Sequence, residues 1–386
     1  MSYMVEYMKK NKDEDFEYEN ELSNLIECYN KKTGKYLLVY SVDFQNNDFP
    51  IGLFMDDFYT IRDFLREDES KKLSFLIETP GGQGEASEEI ATYLRGKYEY
   101  IDFIIVGNCK SAGTMLALSG DEIYMNETGN LGPIDPQMCN DTISGSVYHF
   151  LEWINEKRKE SKTKELNPVD SLIISRITPY EITGAFEALS YGENLVARFL
   201  KEYKFKNWKR TETNNIKVTD EMKKQKAMEI AKKLSDQSKW KSHGKPLKKE
   251  ELRELGLKIK NLEDDKNISE IIERIHVLIR LIFSSSDAFK ILITEDSSLI
   301  RKAIKKENIN IPMDDEHLGF GMMCDKCGEE SNIYFNLDDD PTFDEEMIEK
   351  GFTPVPDDSI IKCKCGNKMD ISKIRSLVES QLGDLL

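Results

Sequence analysis

Leu73–Gln137 reads LSFLIETPGGQGEASEEIATYLRGKYEYIDFIIVGNCKSAGTMLALSGDEIYMNETGNLGPIDPQ, and the rest of the chain is organised around it. Three short apolar runs punctuate the stretch: Leu73 to Ile77, Ile101 to Val106 and Glu122 to Met125. Runs this short and this rich in Ile, Leu, Phe and Val are the mark of strands buried on both faces of an α/β sheet. Each is followed by a turn motif: Thr79-Pro80-Gly81-Gly82, Lys110-Ser111-Ala112-Gly113-Thr114, and Leu131-Gly132-Pro133-Ile134-Asp135-Pro136-Gln137. The first two turns open helices. Ala86, Ile90, Ala91 and Leu94 recur at helical spacing, and Ala112 to Leu118 is small and apolar almost throughout.

Chemistry follows from that order. A serine where a strand ends and a helix begins projects its hydroxyl into the space that the first free N–H groups of the helix also face. A glycine lacks Cβ, so its backbone approaches a substrate carbonyl closely. The pattern makes Ser111 a candidate nucleophile and the N–H groups of Gly81 and Ala112 candidate oxyanion donors. A bare PGG turn or a bare SAG packing site has no such meaning. The two together, on consecutive strand–helix units, favour catalysis.

Thr79-Pro80-Gly81-Gly82, Ser111-Ala112-Gly113-Thr114, Ser119-Gly120-Asp121-Glu122-Ile123-Tyr124-Met125 and Leu131 to Gln137 resemble the serine dehydrogenase proteinase family. That family belongs to the Clp/crotonase fold group, with the Clp protease proteolytic subunit and signal peptide peptidase A. The resemblance extends over residues 36–257 and returns at Ser242-His243, Pro246 and Leu255-Gly256-Leu257. It implies a Clp/crotonase-type α/β core of ββα units with a helical C-terminal half. It also implies a serine peptidase acting on protein or peptide, and a homo-oligomer.

The base that would activate Ser111 stays open. Where the Clp subunit carries its histidine, this chain has Asp135. His243 lies near the place of the Clp triad aspartate, so Ser111, His243 and Asp135 would form a triad in altered chain order. Signal peptide peptidase A uses a lysine, which makes Lys157 and Lys159 the alternatives. A crotonase-like acyl-CoA enzyme and a catalytically silent scaffold that binds a partner are the rival functions. No GxxxxGK[ST] motif is present.

The chain has 386 residues and a formal charge of −17, which excludes a broad nucleic-acid-binding surface. Residues 201–260 run against that balance, with 19 Lys+Arg to 9 Asp+Glu, and read as a solvated face. No run of eighteen apolar residues occurs, so no membrane span is expected, and the first fifteen residues lack a secretory core. Seven cysteines, four of them in close pairs, suit a reducing cytoplasm and a metal. Cys324-x-x-Cys327-Gly and Cys363-x-Cys365-Gly are spaced as two knuckles around one structural zinc, a zinc ribbon fitted for protein recognition. The second pair is one residue short and 35 residues separate the pairs, with Asp338 to Asp340 and Asp344 to Glu346 between them. His317 is a spare ligand.

The expected layout is a helical arm over 1–35, a peptidase domain over 36–260, a helical extension over 261–315 and the ribbon over 316–386. Ser284 to Ile304 is expected to be helical.

Overall fold

The computed structural model describes residues 2–11, 16–46, 49–139, 144–211, 214–303, 318–324, 326–335, 341–356, 358–372 and 375. The chain divides into two compact units, residues 1–303 and 304–386. His317 and Asp338 to Asp340 lie outside the described residues.

In the first unit, α1 (Tyr3–Lys10) and α2 (Tyr18–Thr33) precede β1 (Tyr36–Val42). Then come α3 (Met55–Phe64), β2 (Lys72–Ile77), α4 (Gly84–Lys97), β3 (Tyr100–Ile105), the short β4 (Asn108–Cys109), α5 (Ala112–Ala117), β5 (Glu122–Met125) and the short β6 (Asn130–Leu131). β7 (Gln137–Cys139) and β8 (Ser144–Ser146) pair antiparallel. The helical half follows: α6 (Val147–Glu160), α7 (Pro168–Ser175), α8 (Pro179–Phe199), α9 (Asp220–Ser235), α10 (Gln237–Trp240) and α11 (Lys249–Glu254). β9 (Lys260–Asn261), α12 (Lys266–Ser285), β10 (Ala288–Ile293) and β11 (Ser298–Lys302) complete the unit.

The main sheet has seven strands in the order β11-β10-β1-β2-β3-β5-β9. From β1 to β9 the strands are parallel, and β10 runs antiparallel to both β1 and β11. Because side chains alternate along a strand, each strand feeds two cores. Leu38, Tyr40, Phe75, Ile77, Phe103 and Ile105 face α4, α5, α8 and α9; Leu37, Val39, Leu76 and Ile104 face α2 and α12. Two helix layers therefore sandwich one sheet.

A second, smaller layer carries the turns. β4 pairs with β6, Thr79 bridges to Cys109, and Leu131 bridges to Leu247. β3, β4 and α5 are thus a long strand, a short strand and a helix, the ββα pattern expected from the sequence. The 284–304 expectation needs correcting. Ala288–Ile293 is a fully buried strand, and with β11 it extends the sheet beyond β1. No helix among the described residues is long and apolar enough to cross a membrane.

The second unit holds β12 (Leu318–Met323) antiparallel to β13 (Glu330–Phe335), then α13 (Pro341–Glu349), β14 (Thr353–Pro354), and the hairpin of β15 (Ile360–Lys362) with β16 (Lys368–Asp370).

Candidate active site and metal centre

The turns that carry Gly81 and Ser111 are zippered side by side. The Thr79 N–H donates to Asn108 O at 2.8 Å, and the Lys110 N–H donates to Thr79 O at 3.0 Å. Gly113 leaves just enough room for Thr79, whose Cγ2 would lie 2.5 Å from an added Cβ. Ser111 follows with φ 47° and ψ −116°, a left-handed conformation that costs a non-glycine residue on the order of 1–3 kcal/mol. Its hydroxyl does not cap α5. Ser111 and Ala112 both line a cavity of about 610 Å³.

Gly81 and Gly82 play different parts. Gly81 abuts Ser111: a Cβ there would fall 2.6 Å from the Ser111 Cβ. Its N–H donates to the Thr79 hydroxyl at 3.2 Å. Gly82 lines the cavity and Gly81 does not. Gly82 bridges in parallel to Leu53, where Gly81 O accepts from Leu53 N at 2.6 Å and the Gln83 N–H donates to Leu53 O at 2.9 Å. Those bonds belong to the residues flanking Gly82, so its own N–H turns away from Leu53. Of the two glycine amides, Gly82's is the one at the cavity without a partner among the described residues. Sequence alone does not separate adjacent glycines, because which amide faces outward depends on the bridge to Leu53.

Asp135 and His243 meet although 108 residues separate them. Asp135 Oδ1 and His243 Nδ1 are 2.8 Å apart. The carboxylate is fully buried, and Gln137 Nε2 (2.6 Å), the Ser146 hydroxyl (2.8 Å) and Gln237 Nε2 all donate to it. Paired antiparallel bonds between Leu131 and Leu247, 3.1 and 2.9 Å, draw the two loops together. His243 lines the same cavity as Ser111.

Lys110 was not singled out from the sequence. Its Nζ donates to Gly244 O at 2.9 Å and ties the serine turn to the histidine loop. Burial, and then the nearby Lys248 charge, push its amine down to about 8. Only its position directly before Ser111 could have signalled it.

The lysine alternatives sit elsewhere. Lys157 pairs with Asp170 at 2.7 Å and Glu160 at 3.0 Å, Lys159 is exposed, and neither lines the cavity. Hydrogen bonds that the Lys157 amine donates to Asp170 and then to Glu160 raise it, opposite to what a general base needs.

Residues 51–182 match the family of ClpP-like SDH-type serine proteinases. The resemblance read from the sequence is borne out over this ClpP-like segment, which contains Gly82, Ser111 and Asp135. Two uncharacterized proteins of Methanocaldococcus jannaschii are each 29% identical, over 205 and 202 residues. These alignments cover 53% and 52% of this chain and 57% and 56% of the relatives, so the chain spans a little over half the length of the curated relatives it matches. Among solved structures, a membrane-bound stomatin-specific protease aligns at 15% identity with a TM-score of 0.32, in a lysine-to-alanine mutant with a substrate peptide. That alignment covers 54% of this chain and 70% of the protease. A serine-to-alanine mutant of the same protease aligns at 15% identity with a TM-score of 0.31, covering 57% of this chain and 76% of that one.

In the second unit, Cys324, Cys327, Cys363 and Cys365 bring their sulfurs within 4.8 Å of one another. Cys324 and Cys365 are 3.7 Å apart, and Cys327 and Cys363 are 3.5 Å apart. A zinc–sulfur bond of about 2.3 Å gives a tetrahedron with edges near 3.8 Å, so the cluster fits a tetrahedral ion. Each knuckle closes on a glycine of positive φ, Gly328 at 72° and Gly366 at 84°. The Gly328 N–H donates to Cys324 O at 2.8 Å and the Gly366 N–H to Cys363 O at 2.9 Å. The missing residue of the second pair therefore does not prevent convergence.

Proposed function

We propose that the chain is a cytoplasmic serine endopeptidase in which Ser111 attacks the peptide carbonyl. His243 takes the hydroxyl proton and later returns it to the leaving amine, while buried Asp135 holds the imidazole tautomer. The N–H groups of Gly82 and Ala112 stabilise the oxyanion. This places the glycine donor one residue beyond Gly81, because the Gly81 amide is engaged by Thr79. The observation that carries the reading is the strained Ser111 sharing one cavity with an Asp135-bound His243. The family match supports the reaction class.

The four cysteines would hold one zinc ion, whose chemistry is structural: it joins two knuckles around a core of Ile333, Phe335, Ile361, Met369 and Ile371. The ribbon would recognise a partner protein. The homo-oligomer expected from the resemblance belongs to the same proposal.

The test is steady-state hydrolysis of unstructured protein and peptides by the full chain. Ser111→Ala, His243→Ala and Asp135→Asn each lower kcat about 10²- to 10⁴-fold with folded spectra retained. Undiminished hydrolysis by Ser111→Ala contradicts the proposal, and a folded wild-type chain with no hydrolysis points to a binding scaffold.

A further inference from the structure

Two carboxylates on the wall of the catalytic cavity have no use in the reaction just proposed. Glu85 stands in the first turn of α4 and Glu187 midway along α8; both line the cavity and both are exposed. Neither has a hydrogen bond or an ion pair with any described residue. Glu88, one turn beyond Glu85, is the contrast: it accepts from the Tyr191 hydroxyl at 2.6 Å and pairs with Arg198. Gly84, the residue before Glu85, packs on the Tyr191 ring, where an added Cβ would fall 3.2 Å from Cε1. The Tyr191 phenol is raised by burial first, by Glu88 next and also by the charge of Glu85. Glu187 lies one turn from Tyr191 on the same helix. The two free carboxylates thus flank one aromatic wall.

The rest of the lining explains what they could meet. Met115, Ile134, Ala188 and Gly192 are apolar or small, and among the described residues no Lys or Arg lines the cavity. A glutamate in a first helical turn is favoured by the helix dipole, which accounts for Glu85 alone. Glu187, in the interior of a 21-residue helix, has no such explanation. A partly apolar cavity with two unpaired anions in its lining suits a side chain with an aliphatic stem and a cationic head.

We propose that Glu85 and Glu187 are specificity-determining residues that select peptides with Lys or Arg beside the scissile bond. The inference rests on the peptidase reading above and adds its substrate class. An exposed ion pair contributes on the order of 2- to 5-fold in discrimination, so the two together give about 4- to 25-fold. The preference weakens as salt screens exposed charges.

The experiment digests a randomised synthetic peptide library with the full chain and reads the cleaved bonds by mass spectrometry. Wild type enriches Lys and Arg about fourfold or more at one position flanking the bond, and less so at high salt. The double variant Glu85→Gln/Glu187→Gln loses most of that enrichment. Glu85→Lys/Glu187→Lys shifts it towards Asp and Glu, a gain that a misfolded variant could not show. Cleavage with no basic preference, or with a preference unchanged in the double glutamine variant, overturns this inference alone. Absence of any cleavage by wild type overturns the peptidase reading and this inference with it.

Discussion

At Ser111 the backbone holds a conformation that few serines adopt, and the surroundings over-determine it. Gly81 presses on one side, the Thr79–Lys110 zipper fixes the other, and the Thr114 hydroxyl ties α5 to Cys109 O and Gly132. The motifs made this residue legible, because strand, small-residue turn and helix together dictate where its hydroxyl goes. Asp135 and His243 were legible as candidates only through resemblance. Their contact depends on the Leu131–Leu247 bridge, a long-range pairing that no local pattern reports. One donor to Asp135 was hidden for the same reason: Gln237 is 102 residues away in sequence. Which of the Gly81 and Gly82 amides is left without a partner among the described residues was illegible, because it turns on the direction of a single peptide plane.

Among the elements, helices were read well wherever one face is apolar. α8, α9 and α12 form where Leu, Ile, Val and Ala recur at helical spacing. β10 and β11 were misread because a short apolar run has no period of its own to distinguish strand from buried helix. What decides for β10 is the free edge of β1, with Val39 opposite Ile293 and Tyr40 opposite Leu292. The π-helical turn Leu200–Lys204 carries a further consequence. Its buried Lys204 amine has no hydrogen-bond partner among the described residues. Burial pushes that amine down to about 8, partly offset by Glu122 and Asp121. A folded value below the unfolded one of about 10.4 means the unfolded state binds more protons between the two. The penalty is therefore complete below about pH 8 and is relieved as pH rises towards 10.4. Lys204→Met raises stability at pH 7 by about 1–3 kcal/mol, and the gain shrinks above pH 8. Chemical denaturation at pH 7 and pH 10 checks this; a variant no more stable at pH 7 contradicts it.

For the whole molecule, two cores of different kinds divide the chain. The first unit buries two extensive apolar clusters on the faces of one sheet. The second has a small core to which Cys324 and Cys363 themselves contribute. A core that small is of the kind that a metal on the four clustered cysteines would hold, as proposed above. Removing the ion with a strong chelator at neutral pH should abolish one of two calorimetric transitions, that of residues 318–370, and leave the other in place. About one zinc per chain should be released. Replacement of Cys363 by Ser should do the same, whereas a chelator-insensitive scan would exclude a structural metal. The cysteine spacing marked the C-terminal knuckles, whereas the boundary at residue 303 was not legible, because β10 and β11 join the main sheet through pairing with β1.

The central claim concerns a single oxygen, and covalent trapping tests it most directly. The full chain is treated with a fluorophosphonate, digested and sequenced by mass spectrometry. The account predicts one phosphonyl adduct, on the peptide containing Ser111, absent from Ser111→Ala and formed more slowly in His243→Ala. An adduct on another serine, or equal labelling of the Ser111→Ala chain, would contradict it.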